Sequence, residues 1–195
     1  MKTADQILKI KAVVMYILQS MPEGVDYIHL FKVMYFAQQE HLLKYGMPIM
    51  YDSFVARKHG PVPTFTYKVL KGVEGKLNEV SSELQDFVQG ISVRTENGHQ
   101  IFVLAKGAVC DRDELSVADM KTLDKWISKC RDIESFELSD LSHDRAWENA
   151  KDKADKTGED VKITLYDMAK AAGATKDMLN VIRNRQNTHR ALEWI

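Results

Sequence analysis

The chain has 195 residues, of which 45% are apolar and 28% charged, with a formal net charge of −1. That length suits one domain with room for a short appendage, and the composition is that of a globule able to bury its own core. The near-neutral balance excludes a global field drawing the molecule to nucleic acid or anionic membrane, so any such contact needs a local basic patch.

Thr3 and Gln6 have the spacing of a capping box, and Ile7, Ile10, Val14, Ile17 and Met21 follow at helical intervals until Pro22 stops them. Lys9 and Lys11 break what could otherwise be the apolar core of a signal peptide. Asp26 is placed to cap a second helix with Tyr27, Phe31, Met34, Tyr35 and Leu42 on its apolar face, ended by Gly46 and Pro48. Tyr51, Phe54, Val55 and Ala56 read as a strand, after which His59-Gly60-Pro61-Val62-Pro63 breaks the pattern. Proline is tolerated in a first helical turn, so Pro61 or Pro63 is expected to open a helix over 64–71, closed by Gly72 and Gly75. Residues 82–89 read as a further short helix.

Ile91-Ser92-Val93-Arg94-Thr95 alternates apolar with polar, Asn97-Gly98 is the pair a two-residue type I′ turn wants, and Gln100-Ile101-Phe102-Val103-Leu104 returns. Grouped with 51–56, this hairpin predicts an antiparallel sheet of about three strands. Ser116 and Asp119 open a helix carrying Met120, Leu123, Ile127 and Cys130, and Phe136, Leu138 and Leu141 mark a short one. Residues 151–160 read as a charged connector, and 164–195 as two helices split at Gly173. The expected fold is compact, α+β and mainly α-helical, with a small antiparallel sheet and a C-terminal helical hairpin. Its expected division is a domain over 1–155 and a helical extension packed on it over 160–195.

Reaction chemistry leaves no mark in the chain. Cys110 and Cys130 make neither a disulfide framework nor a zinc cage, and are expected as free thiols in a reducing cytosol. His29, His41, His59, His99, His143 and His189 show no close ligand spacing. There is no phosphate-binding glycine loop, and no apolar run approaches the ~20 residues of a membrane span. The expectation is a cytoplasmic non-enzyme with no catalytic residue, no metal, no small-molecule cofactor and no membrane contact. A hydrolase built on His59 or His143 would need a carboxylate or thiol brought beside one of them.

Four segments come in a telling order. Leu30-Phe31-Lys32-Val33-Met34-Tyr35-Phe36-Ala37-Gln38 lies in the second helix, and Phe54-Val55-Ala56-Arg57-Lys58-His59-Gly60-Pro61-Val62 follows, with Tyr67 after it. Leu115-Ser116 then opens a helix with Leu123 and Trp126, and Leu141-Ser142-His143-Asp144 precedes Trp147. Over residues 5–150 the set resembles the Panacea (SocA-like) antitoxin family. The resemblance implies an antitoxin of a bacterial or phage toxin–antitoxin system, one that neutralises a cognate protein toxin by direct binding. It does not name the toxin, and self-association is left open.

Candidate contact residues follow. Arg57, Lys58 and His59 precede a proline-opened helix whose free N–H groups favour an anion, which suggests a seat for a carboxylate or acidic loop of the toxin. The plainer reading is that Gly60 and Pro61 set a tight turn and the charges are solvated. Tyr67 joins this group through the resemblance. His143 and Trp147 are one helical turn apart, serving either as a partner-facing aromatic anchor or as a pair locking two helices.

The C-terminal hairpin offers a different function. Ala169 lies four residues before Gly173, and Leu179 and Ile182 fall where a second helix must pack on the first, as in a helix-turn-helix. That helix would present Thr175, Lys176, Asn180, Arg183 and Asn184, with Arg185 and Arg190 for phosphates, although Asp177 lies on it too. Operator DNA is therefore an alternative partner; a plain helical hairpin is the other reading.

Overall fold

A computed structural model of the chain describes residues 2–77 and 79–192. The side chains of His189 and Arg190, and residues 193–195 at the end of the expected C-terminal segment, lie outside the described residues.

Helix α1 (Ala4–Ser20) begins at the expected capping box: Thr3 Oγ1 accepts from the Gln6 N–H at 3.2 Å, and Gln6 Oε1 accepts from the Thr3 N–H at 3.3 Å. Helix α2 (Tyr27–Tyr45) is capped by Asp26 and closed by Gly46 in the left-handed region at φ 62°. Every residue from 30 to 42 of α2 is buried. A helix buried on all sides is the axis around which a domain is built, so the single apolar face read from its sequence understates it. α1, α5 (Val117–Cys130), α6 (Ser135–Leu141) and α8 (Leu165–Ala171) all pack against α2.

Burying α2 whole means satisfying its polar side chains, because an unpaired buried polar group costs ~1–3 kcal/mol. Gln38 bonds Met50 O and the Ile49 N–H, Tyr35 and Gln39 donate to Asp144, and Glu40 accepts from Lys125 and the Trp126 indole N–H. His41 bonds Asp119 on α5 and the carbonyl of Met47.

The sheet is real but assembled differently from the expectation. Strand β1 (Phe54–Arg57) turns at Lys58-His59 straight into β2 (Gly60–Pro63), and its other edge takes β5 (Lys162–Ile163), giving the antiparallel order β2-β1-β5. The hairpin of β3 (Ile91–Glu96) and β4 (His99–Leu104) stands apart as a two-stranded sheet. Its Asn97 and Gly98 both take positive φ, 49° and 81°, as a type I′ turn demands. The physical reason for the regrouping lies in the 60–63 segment. Proline lacks an N–H, yet an edge strand tolerates it, and β2 is an edge. Pro61 therefore pairs with Ala56 inside β2 and does not open a helix; Pro63 alone precedes α3 (Thr64–Val73).

Helix α4 (Ser82–Gln89) leads into β3, and α7 (Arg145–Thr157) packs on β1. After β5, α8 and α9 (Lys176–Leu192) are separated by a turn at Gly173, φ 88°. Cys110 and Cys130 are both buried free thiols. No helix among the described residues is long and apolar enough to cross a membrane.

Candidate partner-binding surface

The sequence segments that carried the resemblance converge on the β1–β2 turn. Gly60 sits at φ +95°, where L side chains are strained, and its α-carbon lies against other side chains. A Cβ there would fall 2.3 Å from Ser142 Oγ and 2.6 Å from Lys32 Nζ. The glycine is thus required both by its backbone angle and by its neighbours.

Lys32 holds the turn from beneath. Its side chain is 1% exposed, and Nζ donates to His59 O at 2.6 Å and Pro61 O at 3.2 Å. Among the described residues its ammonium has no ion pair. Burial pushes its pKa down to about 7, with the charge of Asp26 pulling weakly the other way. A lysine stem can cover apolar surface, but this one is spent on the turn. The legible sign was a lone lysine inside an apolar helical run, since a buried amine must find acceptors.

Ser142 donates to Ser139 O at 2.7 Å, and the next residue, His143, stacks on Trp147 at 3.7 Å between centroids with an interplanar angle of 13°. His143 precedes α7, so the two rings meet across its N-cap, Asp144, and not along one helical face. Among the described residues His143 Nε2 is the buried side-chain polar atom left without a partner. Burial, with the charge of Lys32 next, lowers the His143 pKa. The Trp147 indole N–H donates to Arg57 O at 3.0 Å, which ties α7 to the end of β1.

Arg57 itself is committed to the fold. Its guanidinium pairs with Asp160 at 2.6 Å and lies over the Tyr67 ring at 5.3 Å. Lys58 and His59 at the tip are exposed, and the His59 ring lies 6.2 Å from that of Phe136, which is 62% exposed. Below the tip, Tyr27, Phe31, Val62 and Tyr67 line an open cleft of about 320 Å³.

Arg57, Lys58, His59, Gly60, Pro61, Tyr67, His143 and Trp147 are therefore brought together around one turn, but the anion seat expected there is already filled. Asp52 caps α3: its carboxylate accepts from the Phe65 N–H at 3.0 Å, the Thr66 N–H at 2.9 Å and Thr66 Oγ1 at 2.7 Å. A free carboxylate arriving from a partner would meet one already in place.

Among the described residues, no group of three or more His, Cys, Asp or Glu side chains is placed to hold a metal. Among the described residues no thiol or carboxylate bonds His59, and the carboxylate of Asp140, on an exposed side chain, comes no closer than 3.9 Å to His143.

The fold and this turn define a mainly helical α+β domain, built on one helix buried from residue 30 to 42 that latches a strand–turn–strand element at its surface. A family model described as the antitoxin SocA-like, Panacea domain matches residues 30–148, and the chain belongs to that family. The matched span runs from the start of the buried part of α2 into α7, and so contains Lys32, the β1–β2 turn, Ser142, His143 and Trp147. Neither curated proteins nor solved structures give a match.

Proposed function

We propose that the protein is the antitoxin of a toxin–antitoxin pair, that it neutralises a protein toxin by direct binding without chemistry of its own, and that the 1–155 unit carries this contact at the β1–β2 turn. The observation that carries the reading is the contrast between the two sides of the turn. Beneath, Lys32, Ser142 and Trp147 fix the backbone; above, Lys58, His59 and Phe136 face solvent with an aromatic cleft beside them. A rigid, mixed cationic and aromatic tip binds with little entropy lost on ordering.

The test is co-expression with the product of the adjacent reading frame. The expected result is growth arrest by that product alone and relief by this chain. Lys58→Gln with His59→Gln alters only the exposed tip and should weaken binding in a pull-down titration by about tenfold, as for an interface anchor. Arg57→Gln with Lys58→Gln should weaken it further, because Asp160 also loses its partner. Unchanged affinity in both double variants would remove the tip from the interface.

A further inference from the structure

We propose a second activity: the α8–α9 hairpin binds duplex DNA and reads base edges in the major groove with one face of α9. The chain as a whole has no cationic field, but its charge is unevenly placed. Residues 164–192 hold five basic side chains and two acidic ones, against a net charge of −1 for the entire protein. Of the five, Lys176 and Arg183 lie on the face described next, where they give a near-neutral chain local positive charge to meet phosphate.

The geometry supplies the reading face. Among the described side chains, Leu179 and Ile182 are the buried residues of α9, and Met168 and Ala169 are those of α8. Gly173 at φ +88° makes the turn between the two helices. At about 100° per residue, Lys176, Asn180, Arg183, Asn184 and Asn187 fall within one arc of about 100°, on the far side of the helix from Met178 and Arg185 and flanked at its Arg183 edge by buried Leu179, and all five are exposed.

The row runs along about 16 Å of helix, enough to lie in a major groove about 12 Å wide. Asn187 was not among the residues read from the sequence and joins the face here, whereas Thr175 precedes α9 and leaves it, its Oγ1 accepting from the Met178 N–H. Among the described residues, none of the three asparagines spends its side-chain amide inside the molecule. An amide of this kind pairs in bidentate fashion with adenine, and Arg with guanine. Arg183 is held over the Tyr166 ring at 4.8 Å, which restricts its guanidinium before binding.

The opposite side of α9 is occupied by the protein itself. Arg185 donates to Tyr45 O at 2.8 Å, and Gly46 lies against Met178 and Val181. α9 is thus anchored along one side, while its other side is exposed among the described residues and touches the rest of the molecule through Arg183 on Tyr166. Duplex RNA is a poor fit, since its major groove is too deep and narrow for a helix face to read. Asp177 sits at the edge of the exposed face and opposes phosphate, so it works against affinity.

The experiment selects from a pool of random-sequence DNA duplexes with the full-length chain at about 50 mM salt, where phosphate contacts are strongest. The enriched duplex is then titrated in gel shifts. The expected outcome is an enriched motif bound more tightly than a scrambled duplex. Asn180→Ala and Arg183→Ala should each lose about tenfold or more on that motif, and Asp177→Asn should bind more tightly.

These side chains are exposed, so circular dichroism of the variants should match the parent. No enrichment, equal binding of the scrambled duplex, or full affinity in both alanine variants would overturn the proposal. Growth rescue from the toxin is read separately, and neither result decides the other.

Discussion

At the scale of single residues, Gly60 is the position that admits least change. Gly75 and Gly107 also have positive φ, 70° and 83°, but a Cβ on either meets nothing within 4 Å. They therefore isolate the backbone cost of a left-handed alanine, about 1–2 kcal/mol. Gly60→Ala adds overlap with Ser142 Oγ and Lys32 Nζ, and moving either disturbs a buried hydrogen bond.

Its loss should exceed that of Gly75→Ala by a further ~1–3 kcal/mol, the range for overpacking, in urea unfolding at neutral pH. Similar losses for the two would mean that the turn moves away from Lys32 freely. The same packing explains why a lysine with no counter-ion persists here: its donors go to the two carbonyls that the turn leaves unpaired, His59 O and Pro61 O.

At the scale of elements, the informative case is the start of α3. Pro63 has no side-chain cap to offer, and the first N–H groups of the helix are served by Asp52, twelve residues before the helix begins. Asp52→Ala should cost ~1–2 kcal/mol, the usual worth of an N-cap, and should shorten the protection of the Phe65 and Thr66 amides in hydrogen exchange. Unaltered protection would mean that α3 starts without its cap.

The capping boxes at Thr3 and Ser116, the Asn97-Gly98 turn and the split at Gly173 were legible because each depends on residues within four positions of one another. The Asp52 cap, the Lys32 latch, the Arg57–Asp160 pair and the pairing of β1 with β5 depend on partners from 13 to more than 100 residues apart, and local pattern carries no trace of them. For the same reason the sequence could collect the candidate contact residues into groups but could not tell which were exposed. Lys58 and His59 face solvent, while Gly60 and the Trp147 indole N–H are spent on the fold.

At the scale of the whole molecule, the helices around α2 are cross-linked by carboxylates. Asp119 of α5 accepts from Lys9 of α1 at 2.6 Å and faces His41 of α2 at 2.9 Å. Glu40 of α2 meets Lys125 of α5 at 2.6 Å, and Asp26 joins His29 to Ser135 of α6. Burial opposes the ionisation of all three, but their hydrogen bonds and cations outweigh it: the Asp26 carboxyl is held at about 2, and those of Asp119 and Glu40 lie below the ordinary carboxylate range.

A carboxyl whose folded pKa is depressed contributes stability above its unfolded value, and that contribution is lost as pH falls through the folded one. Asp52 works the other way, since burial raises its pKa. His29, raised chiefly by its bond to Asp26, contributes below its ordinary value of 6.5 and loses that share as pH rises past it. His143, whose pKa burial lowers, takes away stability as pH falls below its ordinary 6.5. The unfolding free energy should therefore decline gently from about pH 6.5 to 4.5, where the carboxylate and His29 windows overlap, and fall steeply on acidification below that. Asp119→Asn should lower stability at pH 6 and flatten the acid limb, because one titrating cross-link is gone. An acid limb as steep as the parent's in urea titrations would mean that the helices separate in acid for a reason other than these bridges.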